Sequence, residues 1–294
     1  MDEAVTVIFG AGFSGTAYGR LLAERGNAVI GTTRSADKAG ALEAAGIAPV
    51  IFDGAAITDD LARAIARATD IVISIAPDET GDPVIQAAGE AIAAAPHLQW
   101  LAYLSTVGVY GNHDGGWVDE GTRPRPVSQR SIQRLGAENA WRDLAERRGT
   151  PLAILRLSGI YGPGRNAFAN LKAGRARRLV KPGQVFNRIH VRDIARALAF
   201  LAERRADGIY NVTDDCPAPP QDVVAFAADV MKVEPPPEID FESATLSPMA
   251  RSFYGENKRV SNARIRQAGF SFDHPDYRTA LRRMWDDGSW QAGA

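Results

Sequence analysis

Residues 5–9, 28–32, 49–52, 71–75, 100–105 and 152–157 are short apolar runs, each bounded by turn residues. Between them lie Ala-, Arg- and Glu-rich segments, among them 16–25, 59–68, 83–95 and 131–148, which read as helices. The strand-like runs are apolar throughout instead of at every second residue, the pattern of a parallel sheet covered by helices on both faces. The expected fold is therefore α/β, a doubly wound parallel sheet (Rossmann fold).

After Tyr161 the regularity weakens. Gly, Pro and Arg accumulate in YGPGRN and GRARRLVKPGQVF before a helix-like pattern returns at 193–203 and a strand-like one at 208–212. The expected organisation is a dinucleotide-binding domain over 1–165 and a smaller C-terminal substrate-side region over 166–294, of which about 187–213 returns to the sheet. The stretch 233–265 contains several prolines and few periodic apolar positions, which is long for a connection and reads as a lid or binding loop.

The first strand-turn-helix unit carries Gly10, Gly12 and Gly15 in the spacing G-x-G-x-x-G. Gly10 permits a tight turn, Gly12 lets the backbone approach a pyrophosphate, and Gly15 allows close packing of helix on strand. The helix N-terminus then presents unpaired N–H groups and a positive dipole end to the phosphates. Phe13 and Ser14 within the turn, and Ala76 after the fourth strand, count with the glycines as cofactor-contacting positions.

The end of the second strand discriminates between the two nicotinamide dinucleotides. A carboxylate there would bond the ribose 2′-hydroxyl, whereas an arginine accommodates a 2′-phosphate. The residues are Thr32-Thr33-Arg34-Ser35, with no carboxylate. Thr33, Arg34 and Ser35 are therefore expected to favour NADP over NAD. Asp53, closing the third strand, is placed to meet the adenine ring or to form a turn.

Composition narrows the partners. The 294 residues hold 34 Lys and Arg against 35 Asp and Glu, a formal net charge of −1. No global field favours nucleic acid or anionic lipid, so neither is expected as a partner and any anion site must be local. No apolar run approaches the roughly eighteen residues of a spanning helix. A single cysteine, Cys216, leaves no internal disulfide, and His97, His113, His190 and His274 lack metal-ligand spacing, so no metal is expected. The first strand begins at Val5 without the basic and apolar regions of a signal peptide, and a cytoplasmic protein is expected. A homo-oligomer is left open.

The order of motifs resembles the extended short-chain dehydrogenase/reductase family, also called the NAD-dependent epimerase/dehydratase family, over about residues 4–272. Beyond the glycine loop the resemblance rests on YLSTVGVYG at 103–111, ILRLSGIYGPGRN at 154–166, RIHVRDIARAL at 188–198, GIYNVTDD at 208–215 and KRVSNARI at 258–265. It implies that Thr106 stands where the family has a catalytic serine or threonine, whose hydroxyl bonds the reacting oxygen of the substrate. The family next has tyrosine, three residues, then lysine, with a glutamate four residues beyond. Matching Glu138 to that glutamate puts Arg134 on the lysine and Arg130 on the tyrosine. The chain thus resembles the atypical members, which keep the cofactor loop and lack the tyrosine-lysine pair.

A phenol can be tuned to exchange protons near neutrality, but a guanidinium with a pKa above about 12 cannot. Arg130 is therefore no acid-base group. Arg134 can still serve the lysine's other role, donating to the nicotinamide ribose hydroxyls, and the two arginines together favour an anionic small-molecule substrate. The proton would come from the substrate, solvent, His113 or Tyr110. His190 reads as structural and Asp193 as the N-cap of the following helix. The expected activity is NADP(H)-linked hydride transfer on a small carbonyl, hydroxyl or sugar-type compound. The alternative is a catalytically silent NADP(H)-binding sensor or regulatory protein.

Overall fold

The computed structural model describes residues 4–291, which form two compact units, each built from three chain segments. The first comprises residues up to 106, then 129–156 and 194–210; the second comprises 107–128, 157–193 and 211 onward.

The first unit opens β1 (Val5–Phe9), α1 (Phe13–Ala23), β2 (Ala28–Thr33), α2 (Ala39–Ala44), β3 (Ala48–Ile51), α3 (Asp59–Arg67), β4 (Asp70–Ile73), α4 (Pro83–Ala94) and β5 (Trp100–Thr106). Beyond it come β6 (Trp117–Val118), α5 (Gln129–Arg148), β7 (Leu152–Leu157), β8 (Gly159–Tyr161), α6 (Ala167–Lys172), β9 (Arg178–Val180), β10 (Arg188–His190), α7 (Val191–Glu203) and β11 (Gly208–Val212). The chain continues through α8 (Pro220–Met231), β12 (Glu238–Asp240), α9 (Pro248–Phe253), β13 (Arg259–Val260), α10 (Ala263–Gln267) and α11 (Tyr277–Asp286).

Seven strands form one sheet in the order β11-β7-β5-β4-β1-β2-β3. The pairings β3 with β2, β2 with β1, β1 with β4 and β4 with β5 are all parallel. Every residue of β1, β4 and β7 is buried, as an apolar run covered on both faces requires. On one face Val7, Phe9, Ile71, Ile73, Leu101 and Tyr103 pack under α3, α4 and α5 through Leu61, Ile65, Val84, Ile92, Trp141 and Leu144. Asp82 caps α4, accepting from Val84 N at 2.9 Å and Ile85 N at 3.2 Å, while its other oxygen accepts from Trp141 Nε1 at 3.0 Å, tying α4 to α5.

The division of the chain is less simple than two consecutive blocks. The first unit ends at 156 instead of 165, the segment 107–128 belongs with the second unit, and the part that returns is 194–210. β10 pairs with β8 in a separate two-stranded sheet and not with the large one. The stretch expected as a lid holds β12, α9 and β13, with β12 paired to β9 and β13 to β6. Its apolar residues are few because a small cluster suffices: Phe241 and Tyr254 stack with ring centroids 4.7 Å apart, and Phe186 meets Tyr254 edge-on at 5.2 Å.

Candidate cofactor and active site

The glycine loop adopts the geometry its spacing calls for. Gly10 has φ +87°, in the region open to glycine. Its N–H donates to Thr32 Oγ1 at 2.8 Å, and Ala11 N donates to Thr32 O at 2.9 Å, so β2 holds the turn from beside it. A Cβ on Gly15 would stand 2.6 Å from Gly10 O and 3.1 Å from Ile8 Cγ2, which is why the helix can lie this close to β1. A Cβ on Gly12 would meet no atom within 4 Å, and α1 has no side-chain cap. An open backbone face at an uncapped helix start fits a pyrophosphate. Helix α1 starts at Phe13, earlier than the sequence pattern suggests, so Phe13, Ser14 and Gly15 all lie in its first turn.

Two expected outcomes follow for the glycines. Gly15→Ala should cost roughly 1–3 kcal/mol through overpacking against the Gly10 carbonyl. Gly12→Ala should leave the melting temperature within a degree of wild type. Thermal melts of both variants test this, and a Gly15→Ala melt equal to wild type would contradict the close packing.

At the end of β2, Thr33 is buried and donates to Ser35 O at 3.3 Å, while Arg34 and Ser35 are exposed. The Thr32 hydroxyl accepts from the Gly10 N–H and so helps to hold the glycine turn. Asp53 is exposed and accepts from Ala55 N at 2.9 Å, the bond of a turn former. Ala76 is exposed in the segment after β4.

Thr106 is the last residue of β5 and half-buried. Arg130 lies in the first turn of α5 and is exposed. One turn further on, Arg134 folds back onto the strand: its Nη1 donates to Leu104 O at 2.8 Å and to Tyr103 Oη at 3.3 Å, and the guanidinium lies 5.6 Å from the Tyr103 ring centroid. Arg134 is thus neither a solvated surface residue nor a group with all its donors aimed outward. Burial pushes the Tyr103 phenol far above its ordinary range, with the Arg134 charge opposing.

Beneath this end of β5 lies a cluster that the sequence signals only through Glu138. Glu138 and Arg156 are both buried, with Nη2 to Oε2 at 2.7 Å and Nε to Oε1 at 3.1 Å, and Ser105 Oγ donates to Glu138 Oε1. The strand residue next to Thr106 is therefore fixed by a bidentate ion pair.

In the second unit, Tyr110 is fully buried and its hydroxyl donates to Asn211 Oδ1 at 2.8 Å. His113 is half-buried and its Nε2 donates to Tyr110 O at 3.1 Å. Both side chains expected as replacement proton donors are thus engaged internally. Asp193 is not a helix N-cap: α7 begins at Val191, and the Asp193 carboxylate accepts from Asp273 N at 2.9 Å and His274 N at 2.8 Å. The reading of the chain as lacking a Tyr-x-x-x-Lys spacing also needs correction, because Tyr254 and Lys258 have it. They do not share a helix: Tyr254 is in the aromatic stack on Phe241, and Lys258 Nζ donates to Gly111 O at 2.8 Å and Glu256 Oε2 at 2.5 Å. Among the described residues no group of three or more His, Cys, Asp or Glu is placed to hold a metal ion, and no helix is long and apolar enough to cross a membrane.

A parallel sheet with a glycine turn between its central strand and the first helix defines a dinucleotide-binding α/β protein of the Rossmann type. The family model for the NAD-dependent epimerase/dehydratase family matches residues 5–213, and the chain belongs to that family. It is 29% identical over 284 residues to Protein YeeZ of Escherichia coli K12, covering 92% of this chain and 96% of that one. A conserved protein of unknown function from Silicibacter pomeroyi has a solved structure with TM-score 0.88 and 45% identity, covering 97% of this chain and 99% of its own. UDP-glucuronic acid 4-epimerase from Bacillus cereus, solved in complex with NAD, aligns with TM-score 0.76 at 15% identity over 98% of this chain and all of its own, a likeness of fold.

Proposed function

We propose that the protein is an NADP(H)-dependent oxidoreductase of this family, acting on a small carbonyl, hydroxyl or sugar-type compound without the usual tyrosine-lysine pair. The observation that carries the reading is the glycine loop: a positive-φ Gly10, an open backbone face at Gly12, and a neighbouring strand end with exposed Arg34 and no carboxylate. A nicotinamide bound there supplies or accepts a hydride. Thr33, Arg34 and Ser35 would hold the 2′-phosphate and Gly10 to Gly15 the pyrophosphate, with Asp53 toward the adenine ring and Ala76 along the cofactor. Thr106 holds the reacting oxygen of the substrate. Arg130 supplies fixed positive charge for an anionic substrate or a developing oxyanion and transfers no proton. Arg134 braces Leu104 and Tyr103 while its remaining donors serve the ribose.

The protein works in the cytoplasm on this reading. Arg34→Ala should weaken NADPH at least tenfold and leave NADH unchanged, as read by fluorescence titration of both cofactors. Equal affinities of the wild type for the two cofactors would overturn the NADP preference.

The internal engagement of Tyr110 and His113 favours a second reading, a silent NADP(H)-binding sensor, since the proton of each is already given to an acceptor within the fold. NADPH consumption across a panel of aldehydes, ketones and keto acids decides between them. Binding without consumption supports the sensor.

A further inference from the structure

The second unit carries a partly open pocket of about 360 Å³ beside α6, α8 and α11, with Arg175 and Arg177 exposed at its edge. Four arginines line it, Arg165, Arg175, Arg177 and Arg188, and no carboxylate stands among the described lining residues. Such a density of guanidinium without acidic residues is unusual in a chain whose overall charge is balanced. Its local arrangement is also selective. In the run Arg175-Ala176-Arg177-Arg178, the arginine that does not line the pocket, Arg178, is the one with a carboxylate partner, Glu238 at 2.5 Å.

The loop that carries these arginines is preformed. Gly174 turns the chain at φ +63°, and the backbone N–H groups of Arg175 and Ala176 both donate to Asn170 O, at 2.9 and 3.2 Å. Arg188 is set from the other side: its Nη1 donates to Phe186 O at 2.9 Å and Ala218 O at 3.0 Å, neutral acceptors that fix its position and leave its charge in place. Asp214 faces Arg188 from the adjoining segment; burial pushes its carboxyl well above the ordinary range, and the Arg188 charge opposes that shift.

The remaining lining is apolar or aromatic. Val223, Val224, Leu281 and Tyr277 line it, and the buried Tyr161 hydroxyl has no hydrogen-bond partner. The volume is at the small end of ligand cavities, enough for one ring and an anionic group and too little for a dinucleotide. We propose that this pocket of the second unit binds a small organic oxyanion, a phosphate ester or a carboxylate carrying an apolar body, with Arg175, Arg177 and Arg188 on the anion and Val223, Val224 and Leu281 on the body. Guanidinium forks suit both anions, since each takes two parallel N–H donors.

Calorimetric titration of the full chain with phenyl phosphate, phenylacetate and inorganic phosphate tests this. Saturable one-site binding is expected for phenyl phosphate or phenylacetate, whichever is tighter naming the anion, and at least fivefold tighter than inorganic phosphate. Arg175→Glu with Arg177→Glu should weaken it at least tenfold. The same charge change made on the first unit at exposed residues, Arg67→Glu with Arg147→Glu, should alter it less than twofold. If the pocket variant does not fold, Arg175→Gln with Arg177→Gln replaces it. Absence of saturation, equal loss in both double variants, or inorganic phosphate binding as tightly as the aryl anions each overturn the proposal. NADPH titration of the pocket variant separates this site from the glycine loop, because its NADPH affinity should match wild type whatever the outcome for the anion.

Discussion

Glu138→Ala is expected to lower folding stability by about 3–5 kcal/mol, the cost of leaving a buried charge without its partner. Glu138 is 0% exposed and Arg156 1%, so the charge left behind lies in the core. The substitution removes both acceptors of the Arg156 fork and the acceptor of Ser105 Oγ at once. Urea denaturation should show the midpoint falling with little change in slope. The double variant Glu138→Met with Arg156→Met should recover much of the loss, because a buried pair exchanged for apolar groups of similar volume is often nearly neutral. A Glu138→Ala midpoint equal to wild type would mean that the pair is not closed in solution.

Arg134 shows how far such a site can be read from sequence. Its place at the family's lysine follows from the spacing to Glu138, but its engagement with Leu104 and Tyr103 joins residues some thirty positions apart, and no local pattern encodes that contact. The strands and the glycine turn were legible because their signals are local: uninterrupted apolar runs, and glycines at fixed offsets ahead of a helix. The segment 107–128 joins the second unit although it directly follows a strand of the first, and its composition carries no sign of this. Tyr254 and Lys258 are the converse case. Their spacing imitates a helical pair, but the chain around them is turn and strand, so the periodicity that would align them on one face is absent. The pocket arginines were visible as a basic run, yet only the fold separates Arg178, paired with Glu238, from Arg175 and Arg177.

The second unit should lose stability as the pH falls from about 6.5 toward 3, because His190 is buried in a form that resists protonation. Burial first, and the neighbouring His274 second, pull its pKa down from 6.5 to about 3, with Arg192 acting in the same direction and Asp193 and Asp287 opposing. The rings of His190 and His274 stack with centroids 3.8 Å apart, and Tyr161 meets His190 edge-on at 5.4 Å. His190 Nδ1 accepts from Arg192 N at 3.3 Å, which favours the neutral ring. The folded value lies below the unfolded one, so between about pH 3 and 6.5 the unfolded chain binds the extra proton. The stability that this neutral ring contributes is complete above 6.5 and declines as the pH drops, by about 1.4 kcal/mol for each pH unit separating the two values, on the order of 5 kcal/mol in all. Asp193 acts with the same sign at lower pH. Burial alone would raise its carboxyl, but the hydrogen bonds from the His274 ring and from the backbone of Asp273 and His274 outweigh that and hold it below its ordinary value. Urea midpoints measured at pH 7.5 and 5.0 should differ clearly in the wild type and much less in His190→Phe, which keeps an aromatic ring in the stack and cannot titrate. Equal acid sensitivity in the two proteins would assign the loss to other groups.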